Sequence, residues 1–292
     1  MEGQESTGES FADRVAAAVR RADSLVCVGL DPDIARFPAA LQALPPREAL
    51  IRFNRAIIEA TSDLVCAYKA NLGFFTAYGL PGLEALVETR RLVPPHIPVI
   101  LDSKVGDIGS TAAAYARGYF DEWDFDAVTA NPYLGEDSLA PFLAHPGRGV
   151  IVLCKTSNPG SGELQDLAVG DGAGTAQPLF LALAERAERW AADYPATVGL
   201  VVGATYPEQL AQVWARCPRL PILLPGVGAQ AGDLAAAVRG GLDADRAGLI
   251  VAASRSIMYA GNEADFADHA RSATARLRNE VNAARADAAM SD

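Results

Sequence analysis

The sequence predicts an α/β protein, a single-domain (β/α)8 TIM barrel. Three observations carry this expectation. Eight short β-rich runs recur along the 292 residues, most of them nearly continuous apolar stretches, as parallel strands covered on both faces require. Segments with apolar positions at three- and four-residue spacing separate them. The turn after the first run, "GLDPDIARF", lacks the G-x-G-x-x-G fingerprint that would open a dinucleotide-binding doubly wound sheet.

In chain order the strands are expected at 24–30, 64–70, 98–104, 126–133, 149–155, 198–204, 221–228 and 248–255. The helical patterns fall at 47–62, 80–92, 110–123, 135–145, 177–194, 206–217, 231–241 and 263–286. A regular alternation of this kind closes into a barrel of roughly 250 residues. No stretch rich in Pro, Gly or Ser divides it into two domains. The barrel is assigned to residues 11–284, with flexible tails at 1–10 and 285–292. The long irregular segment 156–177 exceeds a routine strand-to-helix connection, so it is read as a lid or as a surface insertion.

Composition narrows the function. Half of the residues are hydrophobic, and the formal charge is -11. That charge argues against a general grip on nucleic acid, which needs a basic surface. No apolar run reaches membrane-spanning length. The polar, acidic start "MEGQESTGES" shows no signal peptide. Cys27, Cys66, Cys154 and Cys217 have neither metal nor redox spacing, and read as buried free thiols of a cytoplasmic protein. His96, His145 and His269 are scattered without ligand spacing. No cofactor is expected.

Chemistry collects where a barrel places it, at the C-terminal ends of the strands. Asp31 ends the first strand, and Lys69 and Asn71 end the second. Asp102 and Lys104 end the third, with Asp107 just beyond. Asn131 follows the fourth, and Lys155 and Ser157 the fifth. Asp102 and Lys104 are two apart, so on a regular strand they share a face. Lys69 on the neighbouring strand favours a functional array over a structural ion pair, since buried Lys and Asp are seldom left unpaired. The segment "PGVGAQ" (225–230), with Pro225, Gly226 and Gln230, offers backbone N–H groups before a helix start, and Arg255 ends the next strand. That combination suits a phosphate cradle.

These residues resemble the orotidine 5'-phosphate decarboxylase family, and its longer bacterial branch in particular. The resemblance runs from "VGLDPD" to "SRSIMYA" and centres on Asp-x-Lys-x-x-Asp in "DSKVGDIGST". It implies a metal-free conversion of orotidylate to uridylate and CO2 by Lys69, Asp102, Lys104 and Asp107. Lys104 would stabilise a carbanion at C6 and protonate it. The resemblance further implies a homodimer, in which Asp107, Ile108 and Thr111 reach the partner's site. Asp31 and Lys69 would bind the ribose hydroxyls and position the charge array, Ser157 would touch the pyrimidine edge, and Gln230 and Arg255 would hold the phosphate. Asn131 faces the mouth without an assigned contact, and Lys155 reads as a charge supporting the site or as a plain strand-end cation. Two alternatives stand beside this reading: a metal-dependent sugar-phosphate aldolase or epimerase barrel, and a non-catalytic nucleotide-binding sensor.

Overall fold

The structure is a computed structural model that describes residues 8–170, 176–227, 231–240, 242 and 248–289. Eight parallel strands close a barrel in sequence order: β1 Val26–Leu30, β2 Ala67–Asn71, β3 Val99–Val105, β4 Ala127–Ala130, β5 Gly149–Lys155, β6 Thr197–Val202, β7 Ile222–Pro225 and β8 Leu249–Ala253. β8 returns to β1 with Val26 opposite Val251. Each expected strand is present, usually trimmed by a few residues at its ends. Strands such as β1, β4 and β8 are buried along their whole length. This explains their unbroken apolar runs: one side faces the barrel interior and the other the helices.

The main outer helices span Pro46–Thr61, Gly79–Leu92, Gly109–Arg117, Glu136–Leu143, Leu179–Asp193, Pro207–Arg216, Ala231–Gly240 and Phe266–Ala289. The third continues through a wider turn, Gly118–Glu122. The last helix runs past residue 284, so residues 285–289 belong to it and not to a tail. The first expected tail is also shorter, because Ser10 is already structural. Residues 1–7 and 290–292 lie outside the described residues.

Ser10 caps a helix that the strand–helix alternation does not predict, Phe11–Ala22. The Ser10 hydroxyl accepts the Asp13 N–H, and the Asp13 carboxylate accepts the Ser10 N–H, a reciprocal capping box. Phe11, Val15, Ala18, Val19 and Ala22 form the buried face. Phe11 is completely buried against the N-terminal ends of β4 and β5. A methyl group added to Gly149 would sit 2.6 Å from its ring and 2.8 Å from the Ala127 side chain. The helix thus closes the end of the barrel opposite the strand-end charges. Arg14 fastens it by pairing with the buried Asp126. Phe11→Ala is expected to cost about 3–5 kcal/mol, the usual range for emptying a fully packed aromatic site. Chemical denaturation checks this, and a loss below about 1 kcal/mol would refute the plug.

The segment after β5 is described through residue 170. It contains a short helix, Gly162–Gln165, and an antiparallel pairing of Ala168–Val169 with Gln177–Pro178. Residues 171–175 lie outside the described residues. The four cysteines are free and buried, and burial pushes the Cys27 thiol up to about 12. They are packing residues, not nucleophiles.

Candidate active site

The mouth of the barrel is organised around one buried carboxylate. Asp102 sits near the end of β3, with Asn71 of β2 opposite it in the register. Its Oδ2 accepts from Lys69 Nζ at 2.7 Å and from Asn71 Nδ2 at 3.3 Å. Its Oδ1 accepts from Lys104 Nζ at 2.6 Å and from the Thr129 hydroxyl at 2.9 Å. Four donors therefore saturate both oxygens, as a buried carboxylate requires. Lys69 also lies 3.9 Å from Asp31 Oδ1. The expected Asp31, Lys69, Asp102 and Lys104 are thus brought together.

The two lysines differ in access. The Lys69 side chain is 8% exposed and that of Lys104 is 50% exposed. Lys69 is a buried cation fixed between Asp102 and Asp31. Lys104 carries its ammonium at the open side. The backbone arranges this by leaving regular strand geometry. The β3–β4 pairing shifts between Leu101 and Val105, and Lys104 has φ +49°. A left-handed lysine costs about 1–3 kcal/mol and persists only where its surroundings hold it. Here the Lys104 N–H donates to the Thr129 hydroxyl at 2.9 Å, and the Ser103 hydroxyl donates to the Thr129 carbonyl at 3.1 Å.

Thr129 and Ser254 are site residues that the strand-end pattern of charges does not reveal. Thr129 is buried and links the Lys104 backbone to the Asp102 carboxylate. Ser254, just after β8, donates to Asp31 Oδ2 at 2.6 Å. The Asp31 N–H donates to Met258 Sδ at 3.1 Å, and the Tyr259 hydroxyl donates to the Asp31 carbonyl at 2.9 Å. The stretch "SRSIMYA" therefore fixes Asp31 from β8.

Burial alone would raise the Asp102 carboxyl, but the adjacent Lys69 and Lys104 ammonium groups outweigh it and hold it well below the usual 3.8. Burial alone would lower Lys69, and Asp102 and Asp31 outweigh that to raise it above 10.5. The signs fix the pH window. Asp102 contributes stability that is present above 3.8 and lost as pH falls through its depressed folded value. Lys69 contributes stability that is present below 10.5 and lost as pH rises through its elevated one. The wild type is therefore expected to lose stability relative to Asp102→Asn as pH falls below about 4. Denaturant titrations at several pH values check this; a gap that widens in acid would contradict it.

The other expected residues that the structure describes lie around the rim. Ser157 is exposed after β5 and lies against the backbones that follow β6 and β7. A methyl added to Gly203 would sit 2.8 Å from its Cβ, and one added to Gly226 would sit 3.8 Å from its hydroxyl. Pro225 ends β7, its carbonyl accepting the Ala204 N–H at 3.0 Å, and Gly226 turns away with φ +96°. Arg255 is exposed at the start of the short helix Arg255–Met258. Gln230 lies outside the described residues. Asn131 follows β4, where its side-chain oxygen accepts the Tyr133 N–H at 3.0 Å.

Asp107, Ile108 and Thr111 occupy the turn after β3 and the first turn of its helix. The Asp107 carboxylate accepts the Ile108 N–H at 2.8 Å and is not joined to the Asp102 array within the chain. Ile108 is 55% exposed, and Tyr115 and Tyr133 are exposed as well. Among the described residues no group of three or more His, Cys, Asp or Glu side chains could hold a metal ion, and no helix is long and apolar enough to cross a membrane.

The chain has extensive relatives. A family model described as orotidine 5'-phosphate decarboxylase / HUMPS family matches residues 24–269. A curated relative from Thermomicrobium roseum, named orotidine 5'-phosphate decarboxylase, is 54% identical over 280 residues, covering 96% of this chain and 98% of the relative. One of the same name from Roseiflexus sp. is 49% identical over 276 residues, covering 94% and 98%. Among solved structures, OMP decarboxylase of Leishmania donovani superposes with a TM-score of 0.80 at 42% identity, covering 94% of this chain and 98% of that one. UMP synthase of the same organism gives a TM-score of 0.82 at 44% identity, covering 94% of this chain and 56% of that one.

Proposed function

Because the chain belongs to the orotidine 5'-phosphate decarboxylase / HUMPS family, we propose that it is a carboxy-lyase converting orotidylate to uridylate and CO2 in pyrimidine biosynthesis, and that it does so through the Asp102 array. The observation that carries the mechanism is the asymmetry of the two lysines on one carboxylate. Lys69 is buried and fixed, and Lys104 stands half exposed at the mouth.

The reaction leaves an electron pair on C6 of the pyrimidine when the bond to the carboxylate breaks. The ring offers that pair no obvious electron sink. The Lys104 ammonium stabilises the charge as it develops and then transfers a proton from Nζ to C6, giving uridylate. Solvent reprotonates the amine. Lys104 is already oriented by Asp102 and by its constrained backbone, so little reorganisation accompanies the step. The substrate carboxylate would lie near Asp102. Two such charges about 4 Å apart repel by roughly 4 kcal/mol at an effective dielectric near 20, and departure of CO2 relieves that repulsion.

Asp31, held by Ser254 and beside Lys69, is placed in this reading against the ribose. Ser157 meets the pyrimidine edge. Pro225, Gly226, Gln230 and Arg255 receive the phosphate, whose remote binding energy contributes to the chemical step. The enzyme works as a cytoplasmic homodimer, with Asp107, Ile108 and Thr111 contributed to the partner's site. The exposed apolar side chains of Ile108 and Tyr115 on that same stretch support such an interface.

The reading is distinguished from a metal-dependent sugar-phosphate barrel by the donor set. Both Asp102 oxygens already face ammonium groups, which would oppose a bound cation. Purified protein mixed with orotidylate in excess EDTA is expected to show the ultraviolet change of uridylate formation. No conversion by folded, dimeric protein would overturn the proposed reaction. Activity that disappears on chelation would favour the sugar-phosphate class.

A further inference from the structure

Lys155 ends β5 yet stands apart from the Asp102 array. Its side chain is 1% exposed. The pairing between β5 and β6 shifts between Leu153 and Lys155, leaving Lys155 opposite Val202. Nζ meets Asp166 Oδ1 at 2.7 Å and the Ser161 hydroxyl at 3.4 Å. It lies 4.8 Å from the centroid of the Tyr206 ring. Asp166 and Ser161 belong to the segment after β5, and Tyr206 to the segment after β6. One buried ammonium therefore ties two rim segments together. Removing Asp166 from it would strand a cation with no other carboxylate partner among the described residues, which is strongly unfavourable.

The near end of the same segment is tied as well. The Thr156 N–H donates to Gln165 Oε1 at 2.9 Å, and Gln165 Nε2 donates to the Thr156 hydroxyl at 2.8 Å. Ser157 follows Thr156 directly and packs closely against Gly203. The segment is thus a closed loop, with Ser157 at one end and the Asp166–Lys155 pair at the other. Gly162 belongs to this arrangement, since a Cβ there would sit 2.9 Å from Asp166 Oδ2.

We propose that Lys155 is a positioning residue: through Asp166 it holds the 156–166 segment so that the Ser157 hydroxyl stands at a fixed place on the rim for substrate. This rests on the reading of Ser157 as a substrate contact.

The test is steady-state kinetics of orotidylate decarboxylation by Asp166→Asn, Ser157→Ala and the double variant. Asp166 is half exposed, so the Asn variant should fold. Asp166→Asn is expected to raise KM about tenfold with kcat within about twofold, the pattern of lost binding that ground and transition states share. Ser157→Ala is expected to do the same. The double variant should be no worse than Ser157→Ala alone, because the latch then has nothing left to position. Gly162→Ala, which keeps both charges but crowds the carboxylate, should also raise KM, and it replaces Asp166→Asn if that variant fails to fold. Multiplying effects in the double variant would overturn the proposal. An unchanged KM in Asp166→Asn beside a raised one in Ser157→Ala would overturn the latch alone. An unchanged KM in Ser157→Ala would overturn the substrate role of Ser157 and the proposal with it.

Discussion

Lys104→Ala lowers kcat for orotidylate by at least about four orders of magnitude and leaves the protein folded. The size follows from the two tasks assigned to one ammonium. A positioned general acid is worth about 10²–10⁴ in rate, and a preorganised charge at the reacting centre about 10²–10³. Removing Nζ removes both. The fold should survive because Lys104 is half exposed, so its truncation empties no core. Asp102 would keep Lys69, Asn71 and Thr129 as donors. The backbone supplies a control. Lys104 has φ +49°, a conformation that strains alanine as it strains lysine and that glycine adopts freely. Lys104→Gly should be equally inactive and at least as stable as Lys104→Ala. Turnover within tenfold of wild type in either folded variant would remove Lys104 as the proton donor.

Part of this site is legible in the amino-acid sequence, for reasons that can be separated. The barrel is readable because buried parallel strands leave unbroken apolar runs, and eight of them recur at helix-separated intervals. Lys69, Asp102 and Asp31 are readable as charges at the ends of such runs. The two-residue alternation of a regular strand predicts that Asp102 meets Lys104. The contact exists, but on a strand whose register shifts between Leu101 and Val105 and whose lysine is left-handed. Alternation thus names the right partners without the backbone that joins them. Thr129 is hidden because a buried threonine in an apolar run looks like any strand residue. Only its position beside that irregular turn makes it a bridge. The partners of Lys155 are hidden by the second register shift, between Leu153 and Lys155.

The termini show the same division. The helix Phe11–Ala22 carries its own signals, a Ser10–Asp13 capping box and apolar residues on one face, but it has no place in a strand-then-helix count. The last helix continues to Ala289 because "AARADAA" is rich in the best helix former. Polarity at a chain end is a weaker guide than propensity. Neither difference moves the site, since the helix at Phe11 plugs the far end of the barrel from Asp102.

Mixing two inactive variants shows which subunit's site Asp107 serves. Asp107→Ala should be nearly inactive if the carboxylate completes the partner's array, as should Lys104→Ala. A hybrid dimer of the two has one site with neither group. Its other site has the intact Lys104 of one chain and the intact Asp107 of the other. Random re-association makes half of the dimers hybrids, so activity should recover to about one quarter of the wild-type level. Recovery should grow with the time allowed for subunit exchange and vanish when exchange is blocked. Asp107 stands where a partner subunit can reach it. It is held at the turn by its own bond to the Ile108 N–H, unattached to Asp102 in its own chain, and beside the exposed Ile108 side chain. A carboxylate serving its own chain's site would give no recovery, because every dimer would then contain only defective sites. No activity despite demonstrated exchange would therefore return Asp107 to its own subunit, and near-wild-type activity in Asp107→Ala alone would take it out of the array.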